Sequence, residues 1–257
     1  MDVGAAATKV VLLDHDKNVV GFEVERTGVE ASEVAKRCRD KTLDRLGLKE
    51  SSIRRTASTG YAREDVGFSD LTRTEISCHS AGCMLYFSGP ITIVDIGGQD
   101  NKIIHLDENG RRTGFRLNRK CAAGTGSFLE EIAAILNKPL EGMNELAEQS
   151  TSPVKLGSFC TVFTKTEILS NFRRGDRIPD IAAGAYESIV RRILEMDPLV
   201  GEIALTGGVV EHNPYIIGIF ERELGVKPKV PPHPQLIGAI GAALFAMEED
   251  RQDSESI

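Results

Sequence analysis

No basic stripe marks this 257-residue chain. Its formal net charge is −7, and its lysines and arginines are scattered apart from short clusters such as Arg111-Arg112 and Arg173-Arg174. Nucleic-acid surfaces concentrate positive charge, so DNA and RNA are discounted as partners. Long apolar runs are also missing. The longest, residues 236–247, is interrupted by glycine and falls well short of the roughly 20 residues a membrane-crossing helix needs. No charged-then-apolar leader opens the chain, and a cytoplasmic protein is expected. Five cysteines, an odd number, argue against a disulfide framework and for reduced thiols or metal ligands. What remains, 41% hydrophobic and 27% charged, is ordinary for a globular protein.

The organising stretch is residues 94–128. It joins a strand, a Gly-bearing turn with Asp95 and Lys102, a second strand and turn, and then Cys121 on another Gly-rich turn before a helix. Its first half occurs twice. Displaced by 93 positions, residues 2–26 fall without a gap on residues 95–119, so that Asp2, Gly4, Lys9, Asp14 and Gly21 meet Asp95, Gly97, Lys102, Asp107 and Gly114. The expectation is a duplicated β-hairpin whose short first turn lets backbone N–H groups approach phosphate oxygens. Two such turns facing each other would clamp a polyphosphate. The duplication favours two related lobes, with boundaries at residues 1–90 plus a returning helix at 235–248, residues 91–234, and a flexible acidic tail over 249–257.

Along the rest of the chain, periodicity predicts helices over residues 30–46, 75–86, 128–136, 140–149, 178–194 and 235–247. The Thr59-Gly60-Tyr61 turn either reaches a nucleotide or simply joins two elements. Cys78, His79 and Cys83 share one helix, but the two cysteines lie about 140° apart around it, which favours packing over ligation. Residues 154–159 read as a strand leading to Cys160, and the segment after Cys160 reads as a helix. Cys121 and Cys160 therefore both lie at or near predicted helix starts, where unpaired N–H groups and the helix dipole favour an anion, a placement better suited to a metal ligand than to a core thiol. Leu205-Thr206-Gly207-Gly208 opens a further Gly turn, whose natural guest is adenosine.

These residues resemble a known family. The two turns, the TGY turn and the LTGGV turn resemble the actin, heat-shock-chaperone and sugar-kinase superfamily, which implies an α/β fold of duplicated actin-like (ribonuclease H-like) ATPase lobes with a nucleotide cleft between them. More narrowly, VDIGGQDNK, KCAAGTGSFLE, FCTVFTKTEI and LTGGVVEHN are similar to the activators (component A) of 2-hydroxyacyl-CoA dehydratases and to the ATPase subunits of benzoyl-CoA reductase. The likeness runs from Asp2 to about Ala246.

The resemblance implies a homodimer bridged by a single 4Fe–4S cluster, with Cys121 and Cys160 of each chain as its four ligands. The count of two helix-start cysteines, doubled by twofold symmetry, matches the four thiolates such a cluster takes. It further implies Mg²⁺ held by Asp2 and Asp95 through waters, and ATP or ADP phosphates held by Lys9, Gly4 and Gly97, with Gly98 and Lys102 in the second turn. Gln99 and Asp100 orient the attacking water, and Gly207 and Gly208 face the adenosine. In this reading ATP hydrolysis drives a low-potential electron, supplied by a ferredoxin or flavodoxin, into a partner (R)-2-hydroxyacyl-CoA dehydratase or related reductase. The alternatives are reductive activation of a corrinoid or nickel enzyme and, less favoured, a small-molecule kinase on the same fold. Ala5, Ala6 and Ala7 leave the first turn with backbone donors alone, and Lys165 makes the helix after Cys160 more positive than in the relatives.

Overall fold

Two hairpins related by the 93-residue repeat organise the chain. A computed structural model describes residues 1–157 and 160–255, and the chain separates into two compact units. One comprises Met1–Gly89 together with the C-terminal segment from Leu236, and the other is Pro90–Gln235. Among the described residues no helix is long and apolar enough to cross a membrane.

In the first unit, β1 (Asp2–Val3), β2 (Ala7–Leu13) and β3 (Val19–Arg26) form an antiparallel sheet in that order. Helix α1 (Ala31–Leu46) covers it. Its Val34, Ala35 and Cys38 recur at helical spacing and pack with Val3 and Val10. Gly47 ends the helix in the left-handed conformation (φ 66°), with its N–H donating to the Asp44 carbonyl, because only glycine enters that region without a Cβ penalty. A short parallel pair, β4 (Ala57–Ser58) and β5 (Leu71–Thr72), precedes α2 (Glu75–Met84), whose N-cap Thr74 accepts from the Ser77 N–H. The C-terminal helix (Ile237–Glu255) lies backbone to backbone on α2. A Cβ added to Gly82 would stand 2.2 Å from the Ile237 carbonyl oxygen, and one on Gly241 would stand 1.8 Å from that of Cys78.

The acidic stretch from residue 249 onward, expected as a frayed tail, is helical through Glu255. Arg73 and Arg54 pair there with Glu249 and Asp250 at 3.3 and 3.2 Å, and Arg55 pairs with Asp253.

In the second unit, β6 (Ile91–Ile96), β7 (Asn101–Leu106) and β8 (Arg112–Asn118) repeat the hairpin, and β9 (Ile203–Thr206) adds to β6 in parallel, giving the order β8-β7-β6-β9. All six residues of β6 are buried, as befits a strand covered on both faces. Helices α3 (Gly126–Ile135), α4 (Met143–Glu148), α5 (Thr161–Arg173), α6 (Ile178–Met196), α7 (Gly208–His212) and α8 (Tyr215–Leu224) follow, and Phe128, Ile132, Tyr186, Ile189 and Phe220 fill the core. Asp180 caps the turn before α6 by accepting from the Ser150 hydroxyl (2.7 Å) and the Thr151 and Ser152 N–H groups (2.9 and 3.1 Å). The Ser150 bond first, then the amides, lower its carboxyl below the ordinary range.

The strand expected over residues 154–159 is not formed at residues 154–157, while 158 and 159 lie outside the described residues. Val154 instead sets its backbone against α6, where a Cβ on Gly184 would stand 2.1 Å from the Val154 oxygen. The Val154 N–H bonds to the Asp180 carbonyl, and among the described residues no strand pairs with this segment.

Candidate functional site

The repeat is exact enough to compare bond by bond. Asp2 pairs in register with Lys9 on β2, and Asp95 pairs with Lys102 on β7. Both hairpins shift register at the same place, between Leu12 and Leu13 and between His105 and Leu106. Asp14 accepts from the N–H groups of Asp16 and Asn18 (3.0 and 2.8 Å), and Asp107 from those of Asn109 and Arg111 (2.9 and 2.8 Å). The next equivalent pair, Lys17 and Gly110, is left-handed in both copies (φ 67° and 72°).

The two Gly turns are built alike. Gly4 N–H donates to the Ala7 carbonyl (3.1 Å), and Gly97 N–H to that of Asp100 (2.9 Å). The next two N–H groups in each turn, those of Ala5 and Ala6 and of Gly98 and Gln99, make no hydrogen bond among the described residues. Consecutive free amides at a tight turn are what a phosphate oxygen requires. Beside them sit buried carboxylates, each held by a lysine: Asp2 by Lys9 at 2.9 Å, and Asp95 by Lys102 at 3.1 Å. Lys102 also reaches Asp100 at 2.9 Å, so its ammonium is shared between two carboxylates. Gln99 projects into solvent. Gly60 is left-handed (φ 98°) and so close to Asp2 that a Cβ would stand 2.7 Å from the carboxylate, which makes the TGY turn part of the wall around that group, with Tyr61 exposed.

Three contacts in the second unit were not singled out from sequence. The Thr206 hydroxyl donates to Asp95 at 3.0 Å, joining the LTGG turn to the carboxylate; its position just before Gly207 was the available signal. Gly207 itself (φ 99°) leaves room for the Ile96 carbonyl, 2.3 Å from where a Cβ would be, and Gly208 begins α7 against Gln235. The other two contacts lead away from the phosphate turn. Asn101 donates to the Gly124 carbonyl (2.6 Å), and the start of α3 is tied directly to the turn: Gly126 N–H to the Gly97 carbonyl (2.9 Å), and both the N–H and the hydroxyl of Ser127 to the Gly98 carbonyl (2.7 and 2.8 Å). A Cβ on Gly126 would meet Gly98 at 3.1 Å, so a side chain there would press on the turn.

The same segment carries Cys121. Thr125, N-cap of α3, bonds back to the Ala122 carbonyl through its N–H and its hydroxyl (3.0 and 2.7 Å), and the Ala123 N–H points at the Cys121 sulfur at 3.4 Å. Cys121 thus stands four residues before the helix cap rather than at the helix start, whereas Cys160 is itself the N-cap of α5. Both thiols are exposed. Cys38, Cys78 and Cys83 are buried, and desolvation pushes the Cys38 and Cys78 thiols up to about 11, which keeps them protonated. Among the described residues no group of three or more His, Cys, Asp or Glu side chains is placed to hold a metal ion. A separate cavity of about 580 Å³ in the first unit, between β2, α1 and the C-terminal helix, is lined by none of the residues expected to bind nucleotide.

Comparison with known proteins fits this geometry. An activator of lactoyl-CoA dehydratase from Anaerotignum propionicum is 40% identical over 96% of this chain and 96% of its own length. The activator of the 2-hydroxyisocaproyl-CoA dehydratase from Clostridium difficile, solved with bound ADPNP, superposes with a TM-score of 0.93 at 34% identity, covering 100% of this chain and 96% of that one. A ROK family glucokinase from Streptomyces griseus, 10% identical with a TM-score of 0.58 over 96% and 98% of the two chains, shares the fold alone, which is that of the actin-like ATPases and sugar kinases. With its profile matched over residues 1–246, the chain belongs to the BadF/BadG/BcrA/BcrD ATPase family.

Proposed function

We propose that this protein is an ATP-driven electron-transfer activator of a 2-hydroxyacyl-CoA dehydratase or related reductase, fed by a ferredoxin or flavodoxin in the cytoplasm. Asp2 and Asp95 hold Mg²⁺ through waters. Lys9, Lys102 and the amides of the Gly4 and Gly97–Gly98 turns hold the phosphates of ATP or ADP, Gln99 and Asp100 orient the attacking water, and Gly207 and Gly208 border the adenosine. Two copies of the chain share one 4Fe–4S cluster through Cys121 and Cys160 of each.

The residues present fit that cluster. The thiols are exposed, one sulfur already accepts a peptide N–H, and the other sulfur's residue caps a helix whose first amides have no intrahelical partner. Val162 and Phe163, directly after Cys160, are 73% and 69% exposed, as suits side chains that become covered when two chains meet. When bound, the cluster supplies one-electron carriage at low potential.

The observation that carries the reading is the bonded path from phosphate turn to thiol. Gly97 and Gly98 hold Gly126 and Ser127, Thr125 holds Ala122, and Ala123 donates to Cys121. A γ-phosphate that draws in the amides of the turn must also move α3 and the cysteine loop.

Iron and ATPase assays on anaerobically reconstituted protein test this. The expected result is a brown dimer with four irons, and loss of iron without loss of ATP binding in Cys121→Ser and Cys160→Ser. A colourless protein after reconstitution, or either variant keeping full iron, would falsify the assignment.

A further inference from the structure

The two hairpins share a backbone but carry opposite charge on one face, and the contrast says what covers the second. In the first copy Gly21, Glu23 and Glu25 alternate onto the face of β3 that α1 covers. A Cβ on Gly21 would stand 2.8 Å from Leu46, and the helix sets Arg37, Lys41 and Arg45, spaced by four residues, over the two glutamates: Arg37 and Lys41 reach Glu25 at 2.6 and 2.7 Å, and Arg45 pairs with Glu23.

The equivalent residues of β8 are Gly114, Arg116 and Asn118. Here the helix that follows is the ten-residue α3 instead of the sixteen-residue α1, and it leaves this strand uncovered. Every residue of β8 is exposed or half-buried, and a Cβ on Gly114 would meet only His105, at 3.8 Å. Residues 111–120 hold five cations and no carboxylate, in a chain of net charge −7. Arg112 lies over the half-exposed Phe115 ring, 5.4 Å from its centroid. Arg116 approaches Asp197 only to 3.9 Å, and that carboxylate already binds His105 at 3.0 Å. Arg119 approaches Asp100 at 3.7 Å, which already binds Lys102. The strand then runs directly into the thiol loop, where the Asn118 side chain donates to the carbonyls of Cys121 and Ala123 (3.0 and 3.2 Å).

We infer that β8 is the docking surface for a small acidic electron-carrier protein, which lays a helix with carboxylates four residues apart over Gly114, Arg116 and Asn118. The first hairpin is the template, with the charges exchanged. A second copy of this chain is disfavoured there, because it would bring the same arginines against themselves. The weak, charge-steered encounter that a single strand offers is the kind electron-transfer partners use. Placing the carrier beside Cys121 is what makes the surface useful, so the inference rests on the electron-transfer reading above.

The test is calorimetric titration of the full-length protein with a purified acidic ferredoxin at low and high salt. Arg112→Glu/Arg116→Glu is expected to weaken binding at least about tenfold and to abolish most of its salt dependence. Gly114→Leu, which fills open space, should block docking with no loss of thermal stability. Arg173→Glu, an exposed control on α5, should bind like the parent. ATP hydrolysis and iron content are expected to match the parent's in all three variants. Binding within twofold of the parent in both β8 variants overturns the inference, as does a change of oligomeric state in place of lost ferredoxin affinity. If the chain binds no iron yet the β8 variants still lose the ferredoxin, the docking surface stands and the cluster reading fails.

Discussion

Asp95 accepts a hydrogen bond on each oxygen, from Thr206 and from Lys102, and is almost completely buried. A buried carboxylate so held keeps its direction, which a metal-bound water needs. Asp95→Asn preserves the shape and removes the charge, and Mg²⁺-dependent hydrolysis should fall roughly 100-fold, the loss typical of deleting one preorganised electrostatic partner. Phosphate release at saturating ATP and Mg²⁺ checks this, and hydrolysis within threefold of the parent would remove Asp95 from the role given to it. At the same scale, the buried thiols of Cys38 and Cys78 set an alkaline limit. Their native pKa of about 11 exceeds the ordinary thiol value, so from about pH 9 upward the unfolded chain gives up protons that the folded one keeps. Their contribution is complete below pH 9 and is lost as pH rises towards 11. The urea midpoint, followed from pH 8 to pH 11 under reducing conditions, should drop over that window, and less steeply in Cys38→Ala/Cys78→Ala.

At the scale of elements, glycine controls two close approaches. On α2 and the C-terminal helix, Gly82 and Gly241 let backbones touch, and Gly241→Ala should destabilise the first unit by about 3 kcal/mol, at the upper end for overpacking, because rigid backbone rather than a flexible side chain blocks the new methyl. Chemical denaturation reads it. Gly126 lets α3 rest on the phosphate turn, so Gly126→Ala should leave ATP affinity near that of the parent while weakening the effect of ATP on the reactivity of the Cys121 thiol; an unchanged nucleotide effect would break the proposed path.

The hairpins, α1, α2 and the Gly turns were legible in the sequence because each rests on local rules: alternation, helical spacing, a left-handed C-cap, a repeated Asp turn. The segment before Cys160 misled for a physical reason. Val154 and Leu156 have strand-like character, but a strand exists only with a neighbour, and here the backbone bonds to Asp180 and abuts Gly184. The helical run through Glu255 was hidden likewise, since its acidic residues look unstructured until arginines at positions 54, 55 and 73, distant in sequence, neutralise them. The motifs holding Thr206 and Asn101 were seen, but their bonds to Asp95 and Gly124 were not, because a single hydroxyl or amide carries no pattern that names its partner.

At the scale of the whole molecule, the chain's two ends build one unit and its middle builds the other. The first unit is therefore completed only by the last helix, from which Ile237, Ala239, Ile240, Ala242 and Ala246 are buried. Each fully buried isoleucine contributes about 1.5–3 kcal/mol, so Ile237 and Ile240 together contribute about 3–6 kcal/mol, a large share of a small domain's net stability of about 5–15 kcal/mol. A fragment of residues 1–89 should consequently show no cooperative melt. The second unit draws its sheet and core from residues 90–235 alone, with Phe128, Tyr186 and Phe220 fully enclosed by its own helices, and a fragment of those residues should melt cooperatively by itself. Calorimetry on the two fragments decides the matter. A sharp transition in residues 1–89 would show that the C-terminal helix is dispensable, and its absence in residues 90–235 would show that the middle of the chain needs the ends.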